Sequence, residues 1–191
     1  MLGQSISKNS LILGFFATIT AAVIAVTFQG TQERIEVQER KAASAALVDM
    51  IPYNRHNNDM LKDVITVDIQ QSQALGFKKP VNLNIAKQNG DVVAVVIPAI
   101  AQDGYSGNIK MIIAVNVDGT LAGVRVLSHK ETPGLGDKID LRKSQWIKSF
   151  NGKSLSDPEA SLWTVRKDGG EFDQFTGATI TPRAVVMRVK T

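Results

Sequence analysis

Residues 109–127 read IKMIIAVNVDGTLAGVRVL, two β-prone runs on either side of Asp118-Gly119-Thr120. Branched apolar side chains dominate both runs and suit a pleated, packed surface. Asp-Gly supplies the backbone freedom of a tight reversal. The stretch predicts a hairpin with strands over 109–117 and 121–127. Further back, Gln88-Asn89-Gly90-Asp91 signals a second hairpin between runs at 81–86 and 92–97, and Pro98 implies a bend or an edge there. Residues 64–69 add one more short run. Hairpins in succession specify an antiparallel or mixed sheet rather than a doubly wound parallel one. No Gly-x-Gly-x-x-Gly follows a strand, which disfavours a Rossmann-type nucleotide site.

On the C-terminal side, Leu141, Trp146, Ile147 and Phe150 predict a helix over 139–150, closed by Asn151-Gly152. Residues 162–166 read as a strand and 167–170 as a turn. Thr181-Pro182 is a helix-start pair, because a hydroxyl caps free N–H groups and Pro suits the first helical position. That last helix reaches Thr191 after barely three turns, and a longer one is expected. The fold class is α+β.

The N-terminal side is of another kind. Residues 11–28, LILGFFATITAAVIAVTF, carry no charge, and with Ser10 and Gln29 they reach the ~20 residues that span a bilayer as a helix. A signal peptide would have a shorter apolar core and a small-x-small cleavage site, which Phe28-Gln29-Gly30-Thr31 does not supply. Residues 1–30 are therefore expected to form a single transmembrane anchor in contact with membrane lipid. Lys8 precedes the segment while Arg34, Arg40 and Lys41 follow it, so local charge does not dictate orientation. Residues 31–52, free of Gly and Pro until Pro52, predict a helical stalk, with Ile35, Ala42, Ala46 and Met50 near helical spacing. Residues 53–191 are then one domain. Residues 53–59 read as a polar loop in which His56 is solvated.

Composition narrows the chemistry. The chain of 191 residues has no cysteine, which excludes disulfides, iron–sulfur ligation and thiol catalysis within it. A net charge of +4, mixed in sign and without basic runs interleaved with aromatics, argues against nucleic acid. Two distant histidines and no carboxylate cluster give no metal site.

Residues 172–181, FDQFTGATIT, bring Asp173 to Thr176-Gly177-Ala178-Thr179 just before the final helix. A helix N-terminus favours an anionic group such as phosphate, and Gly177 and Ala178 leave room for close approach. Thr176 and Thr181 would hydrogen-bond around that phosphate, with Arg183 in the first turn adding a charge. Two further loops, residues 103–107 and 130–137, flank the central hairpin, so both belong to one end of the sheet. A planar ring resting between them would meet Glu131, Thr132 and Leu135. Trp146 and Trp163 are read as core packing.

Asp-Gly-Tyr-Ser-Gly, Glu-Thr-Pro-Gly-Leu-Gly-Asp-Lys and Asp-x-x-Thr-Gly-Ala-Thr, in that order after one anchor, resemble the G-subunit family of the Rnf (also called Rsx) electron-transport complex. The resemblance covers essentially the whole chain. It implies an FMN-binding domain on the periplasmic side of a bacterial inner membrane. FMN would be joined to Thr179 by a phosphoester, put there from FAD by a flavin transferase, with Asp173 serving the transferase. It also implies the other Rnf subunits as partners, and electron relay between ferredoxin and NAD coupled to ion translocation. Two alternatives stand beside it. One is a component like the C subunit of a sodium-pumping NADH:quinone reductase, which shares the flavinylation motif. The other is a non-enzymatic anchored module binding a free anionic ligand.

Overall fold

A computed structural model describes residues 2–191; Met1, and the side chains of Arg40 and Ala42 weighed above, lie outside what it describes. The chain divides into two compact units, Met1–Lys41 and Ala42–Thr191. Helical backbone, α1, runs Leu2–Met50 with no break at the expected boundary between anchor and stalk.

In the first unit, Ser7–Ile35 is long and apolar enough to cross a membrane, by length and composition. Its large apolar side chains are exposed, Leu11 and Leu13 at 76% each. That exposure is costly in water and favourable in lipid. Three threonine hydroxyls in this stretch are satisfied within the helix: Thr18, Thr20 and Thr27 donate to the carbonyls of Gly14, Phe16 and Val23 at 2.9, 2.8 and 2.8 Å. Back-bonding of this kind removes the penalty of an unpaired hydroxyl in hydrocarbon.

The second unit is built on a five-stranded antiparallel meander in the order β1-β2-β3-β4-β5. Its strands are β1 (Val64–Val67), β2 (Val81–Gln88), β3 (Asp91–Gly104), β4 (Gly107–Asn116) and β5 (Leu121–Ser128). Both expected hairpins are present. Asn89 and Gly90 take φ of 55° and 97° in the β2–β3 turn, the paired left-handed geometry that a two-residue hairpin loop demands. Pro98 lies inside the 14-residue β3, two residues past Val96, the last residue that pairs with β2. Beyond that point β3 pairs with β4 alone, so the strand is locally an edge and tolerates the missing N–H.

Each face of the sheet carries a core. On one, Leu47, Met50, Ile51 and Met60 cover Ala86, Ala94, Val96, Ile112 and Ala114. On the other, Ala99, Ala101, Ile109, Met111 and Ile113 lie under an aromatic cluster and under α3 (Ile180–Lys190). The cluster groups Phe172, Phe150 and Trp163 in a triangle, Phe172 stacked on Phe150 at 4.6 Å and tilted against Trp163 at 5.1 Å, and sets Trp146 edge-on to Phe150 and Phe175. Both tryptophans are packing residues.

Several expectations are corrected here. The helix over 139–150 is replaced by two 3-10 segments, Gly136–Ile139 and Gln145–Phe150. Ser144, with extended backbone, separates them and caps the second by accepting from the N–H of Trp146. The strand over 162–166 is a single bridge, Val165 to Phe172, between two 3-10 turns. Ile69 begins a six-residue helix, α2 (Ile69–Ala74), capped by Asp68, instead of ending β1. His56 is 3% exposed rather than solvated, its Nδ1 on the Pro52 carbonyl at 3.2 Å.

Candidate functional site

The β3–β4 turn, the loop after β5 and the N-terminus of α3 converge on a cavity of about 320 Å³. Its lining is Tyr105 from the turn, Glu131, Thr132, Leu135 and Gly136 from the loop, and residues 177–181. That volume is at the lower end of the ~300–1,000 Å³ typical of small-molecule sites.

The TGAT stretch forms this wall through a tight turn. Ala178 donates to the carbonyl of Phe175 at 3.0 Å, and Gly177 sits in the left-handed region at φ 78°, where a side chain would be strained. The turn delivers Thr179 to the N-cap of α3. The helix starts two residues earlier than the Thr-Pro pair predicts, so Pro182 occupies the third helical position, where its missing N–H is still no loss.

Thr179 makes no side-chain cap bond. Among the described residues, nothing accepts from the main-chain N–H groups of Thr179, Ile180 or Thr181. A helix start with unspent donors and a free hydroxyl facing a cavity suits an anionic oxygen group. Thr181 behaves differently. The residue is 1% exposed and its hydroxyl donates to Glu131 Oε2, so it is neither cap nor free nucleophile. Thr176 is exposed and outside the lining.

Glu131 is 4% exposed, and its Oε1 accepts from the N–H of Ser106 at 2.9 Å. Its own N–H donates to His129 Nδ1 at 3.1 Å. The loop that follows is wound tightly. The Thr132 carbonyl receives the N–H groups of Leu135 and Gly136, both at 3.1 Å, while Asp137 Oδ1 receives Gly134 N–H at 2.8 Å. Leu135 is thereby pushed outward, 42% exposed, at the cavity mouth.

The charged residues read from the motif do not line the cavity. The Arg183 guanidinium pairs with both carboxylate oxygens of Asp168, at 2.7 and 3.0 Å, and holds that carboxyl below the usual carboxylate range. Asp173 pairs with Arg166 at 3.1 Å on the surface, while its carbonyl accepts from Trp146 Nε1 at 2.8 Å. A phosphate here would be met by backbone N–H groups rather than by a cation. Sequence reading missed Tyr105, Gly136 and Ile180; the first two stand in loops that it quoted, but nothing in composition separates a lining residue from its neighbours. Among the described residues no group of three or more His, Cys, Asp or Glu is placed to hold a metal ion.

The residues present fit FMN: a phosphate position at the helix start, a hydroxyl beside it, and a mixed polar and apolar recess for a flat ring. Comparison with known proteins agrees. A family model described as an FMN-binding domain matches residues 104–191, and one described as the RnfG N-terminal region matches residues 1–50. Over 187 residues the chain is 51% identical to the G subunit of the ion-translocating oxidoreductase complex of Pseudoalteromonas atlantica, covering 98% of this chain and 86% of that protein. Its counterpart in Vibrio atlanticus is 50% identical, with 98% and 88% covered. That of Vibrio cholerae is 47% identical over 186 residues, with 97% and 88% covered.

Proposed function

The chain belongs to the G-subunit family of ion-translocating oxidoreductase complexes, and from that premise we propose that it is a membrane-anchored electron carrier holding FMN covalently at Thr179. Residues 1–30 anchor it, residues 31–52 form a stalk, and residues 53–191 hold the flavin on the periplasmic side of the inner membrane. Its partners are the other proteins of the complex and, during maturation, a flavin transferase.

The observation that carries this reading is the contrast among three threonines. Thr181 spends its hydroxyl on Glu131, Thr176 lies outside the cavity, and Thr179 has a free hydroxyl at an uncapped helix start. In attachment, Thr179 Oγ1 would bond to the phosphorus on the riboflavin side of FAD as the pyrophosphate P–O bond broke, with AMP leaving and taking up the hydroxyl proton. No electron changes hands. Bound FMN supplies one- and two-electron chemistry, and the protein supplies position and electrostatics. The unspent N–H groups of Thr179 and Ile180 would hold the phosphate. Tyr105 and Leu135 would exclude water from the ring at the cavity mouth, and the apolar anchor would keep the carrier at the membrane plane.

Flavin fluorescence in a denaturing gel tests this. Full-length protein made with a flavin transferase is expected to give a fluorescent band, and Thr179→Ala a dark one. A fluorescent T179A band, or peptide mapping that finds position 179 bare in fluorescent protein, overturns the assignment.

A further inference from the structure

We infer that Glu131 is a positioning residue that assembles the cofactor cavity, clasping the N-terminus of α3 to the β3–β4 turn through Thr181 and Ser106. The inference rests on the cavity being the FMN site, and it assigns Glu131 and Thr181 to the frame of the site instead of to contact with the flavin.

Both carboxylate oxygens of Glu131 are committed, Oε1 to Ser106 N–H at 2.9 Å and Oε2 to the Thr181 hydroxyl. The niche around the carboxylate is built to its size. A Cβ at Gly104 would stand 3.0 Å from Oε1 and 2.3 Å from the Gly107 carbonyl oxygen. At Gly136 it would stand 2.9 Å from Oε2 and 2.7 Å from Thr181 Oγ1. Each oxygen thus has a glycine beside it: a side chain at Gly136 would crowd both partners of the Oε2 bond, and one at Gly104 would strike the Gly107 backbone in the turn that Oε1 holds. The third anchor is the backbone of Glu131, fixed on His129 Nδ1 at 3.1 Å.

The clasp atoms and the cavity walls are chain neighbours. Ser106 follows Tyr105, Glu131 precedes Thr132, and Thr181 follows Thr179 and Ile180; all of these but Ser106 line the cavity. Three segments remote in sequence therefore keep their walls in register only while the carboxylate holds both donors. A carboxylate accepts through two oxygens at once, whereas an amide offers one acceptor and turns an N–H on the other donor. Glu131→Gln keeps the volume and breaks one bond. Thr181→Val keeps the shape and removes the hydroxyl, and Thr181→Ser restores it.

The test uses the full-length chain made with a flavin transferase and purified in detergent. Flavin content, iodide quenching of flavin fluorescence and hydrogen exchange at the Ser106 amide are read on wild type, T181V, T181S and E131Q. T181V and E131Q are expected to keep the wild-type flavin content, showing that Thr181 is not part of attachment. Quenching and Ser106 exchange are expected to rise several-fold in both, because the walls now open locally, and to return to wild-type values in T181S. Unchanged quenching and exchange in T181V overturn the inference. So does a T181V protein that is folded by circular dichroism yet carries no flavin, since Thr181 would then belong to the attachment chemistry. A wild-type protein without covalent flavin defeats the tether at Thr179 alone. The clasp is still decided in that case by Ser106 exchange, which needs no cofactor.

Discussion

Trp146 donates its indole N–H to the main-chain carbonyl of Asp173 at 2.8 Å, suspending the acidic end of the Asp-x-x-Thr-Gly-Ala-Thr stretch from the aromatic core. The ring is held from the other side by edge-on contacts to Phe150 and Phe175, at 5.5 and 5.2 Å. A surface loop is thereby given a fixed conformation, and on the proposed reading it is the loop a flavin transferase would have to recognise.

Trp146→Phe keeps a ring in the cluster and removes this bond. The expected loss of stability is about 1 kcal/mol, the net worth of one such hydrogen bond, measured by urea unfolding of the detergent-solubilised protein. FMN attachment is expected to proceed to completion at a slower initial rate. An unchanged rate would show that the bond plays no part in presenting the motif.

Glycines in this domain are not equivalent. At Gly170 a Cβ would lie 2.0 Å from the Thr164 carbonyl oxygen and 2.3 Å from its carbon, and backbone cannot step aside as a side chain can. At Gly134 the same atom meets nothing within 4 Å, and the only cost is φ of 77°. Gly134→Ala is expected to cost ~1 kcal/mol. Gly170→Ala should cost about 3 kcal/mol or more, because the bridge from Val165 to Phe172 must separate. Equal unfolding midpoints for the two variants would refute this ranking.

Acid should destabilise the domain through a small set of carboxylates. Arg142, bonded to Asp140 through Nε at 3.0 Å, holds that carboxyl below its ordinary value of 3.8. Asp168 is depressed by Arg183 and Asp63 by Lys87. A depressed carboxyl stabilises the fold at every pH above its unfolded value, and the contribution is lost as pH falls through the folded one. The melting temperature is therefore expected to stay level from neutrality to about pH 4 and to fall below it. Asp140→Asn should melt lower at pH 7 yet show a shallower acid limb. An acid limb as steep as wild type would remove Asp140 from this account.

The sheet was legible because its punctuation is local. Asn89-Gly90 and Asp118-Gly119 carry backbone requirements that few other residues meet, and each lies between runs of branched apolar residues. The apolar helix was legible for the same reason, since an uncharged run of that length has few other readings. The 3-10 segments were not. Leu141, Trp146, Ile147 and Phe150 fall at helical spacing, but Lys143 and Ser144 both donate to the Asp140 carbonyl and close the chain into a turn before a helix can propagate. Gly177, Ala178 and Thr179 could be singled out because they are contiguous, and all three line the cavity. The pairing of Arg183 with Asp168 and of Thr181 with Glu131 was not, because each joins residues 15 and 50 positions apart that only tertiary structure brings together.

The meander also fixes an order of events. Every pair in the sheet joins strands that are neighbours in the chain, so the five strands can zip together progressively during synthesis. The wall made by residues 177–181 arrives after all of them. A chain halted before that point lacks one wall of the socket for its prosthetic group, so loading of the cofactor has to wait until synthesis has passed the start of α3.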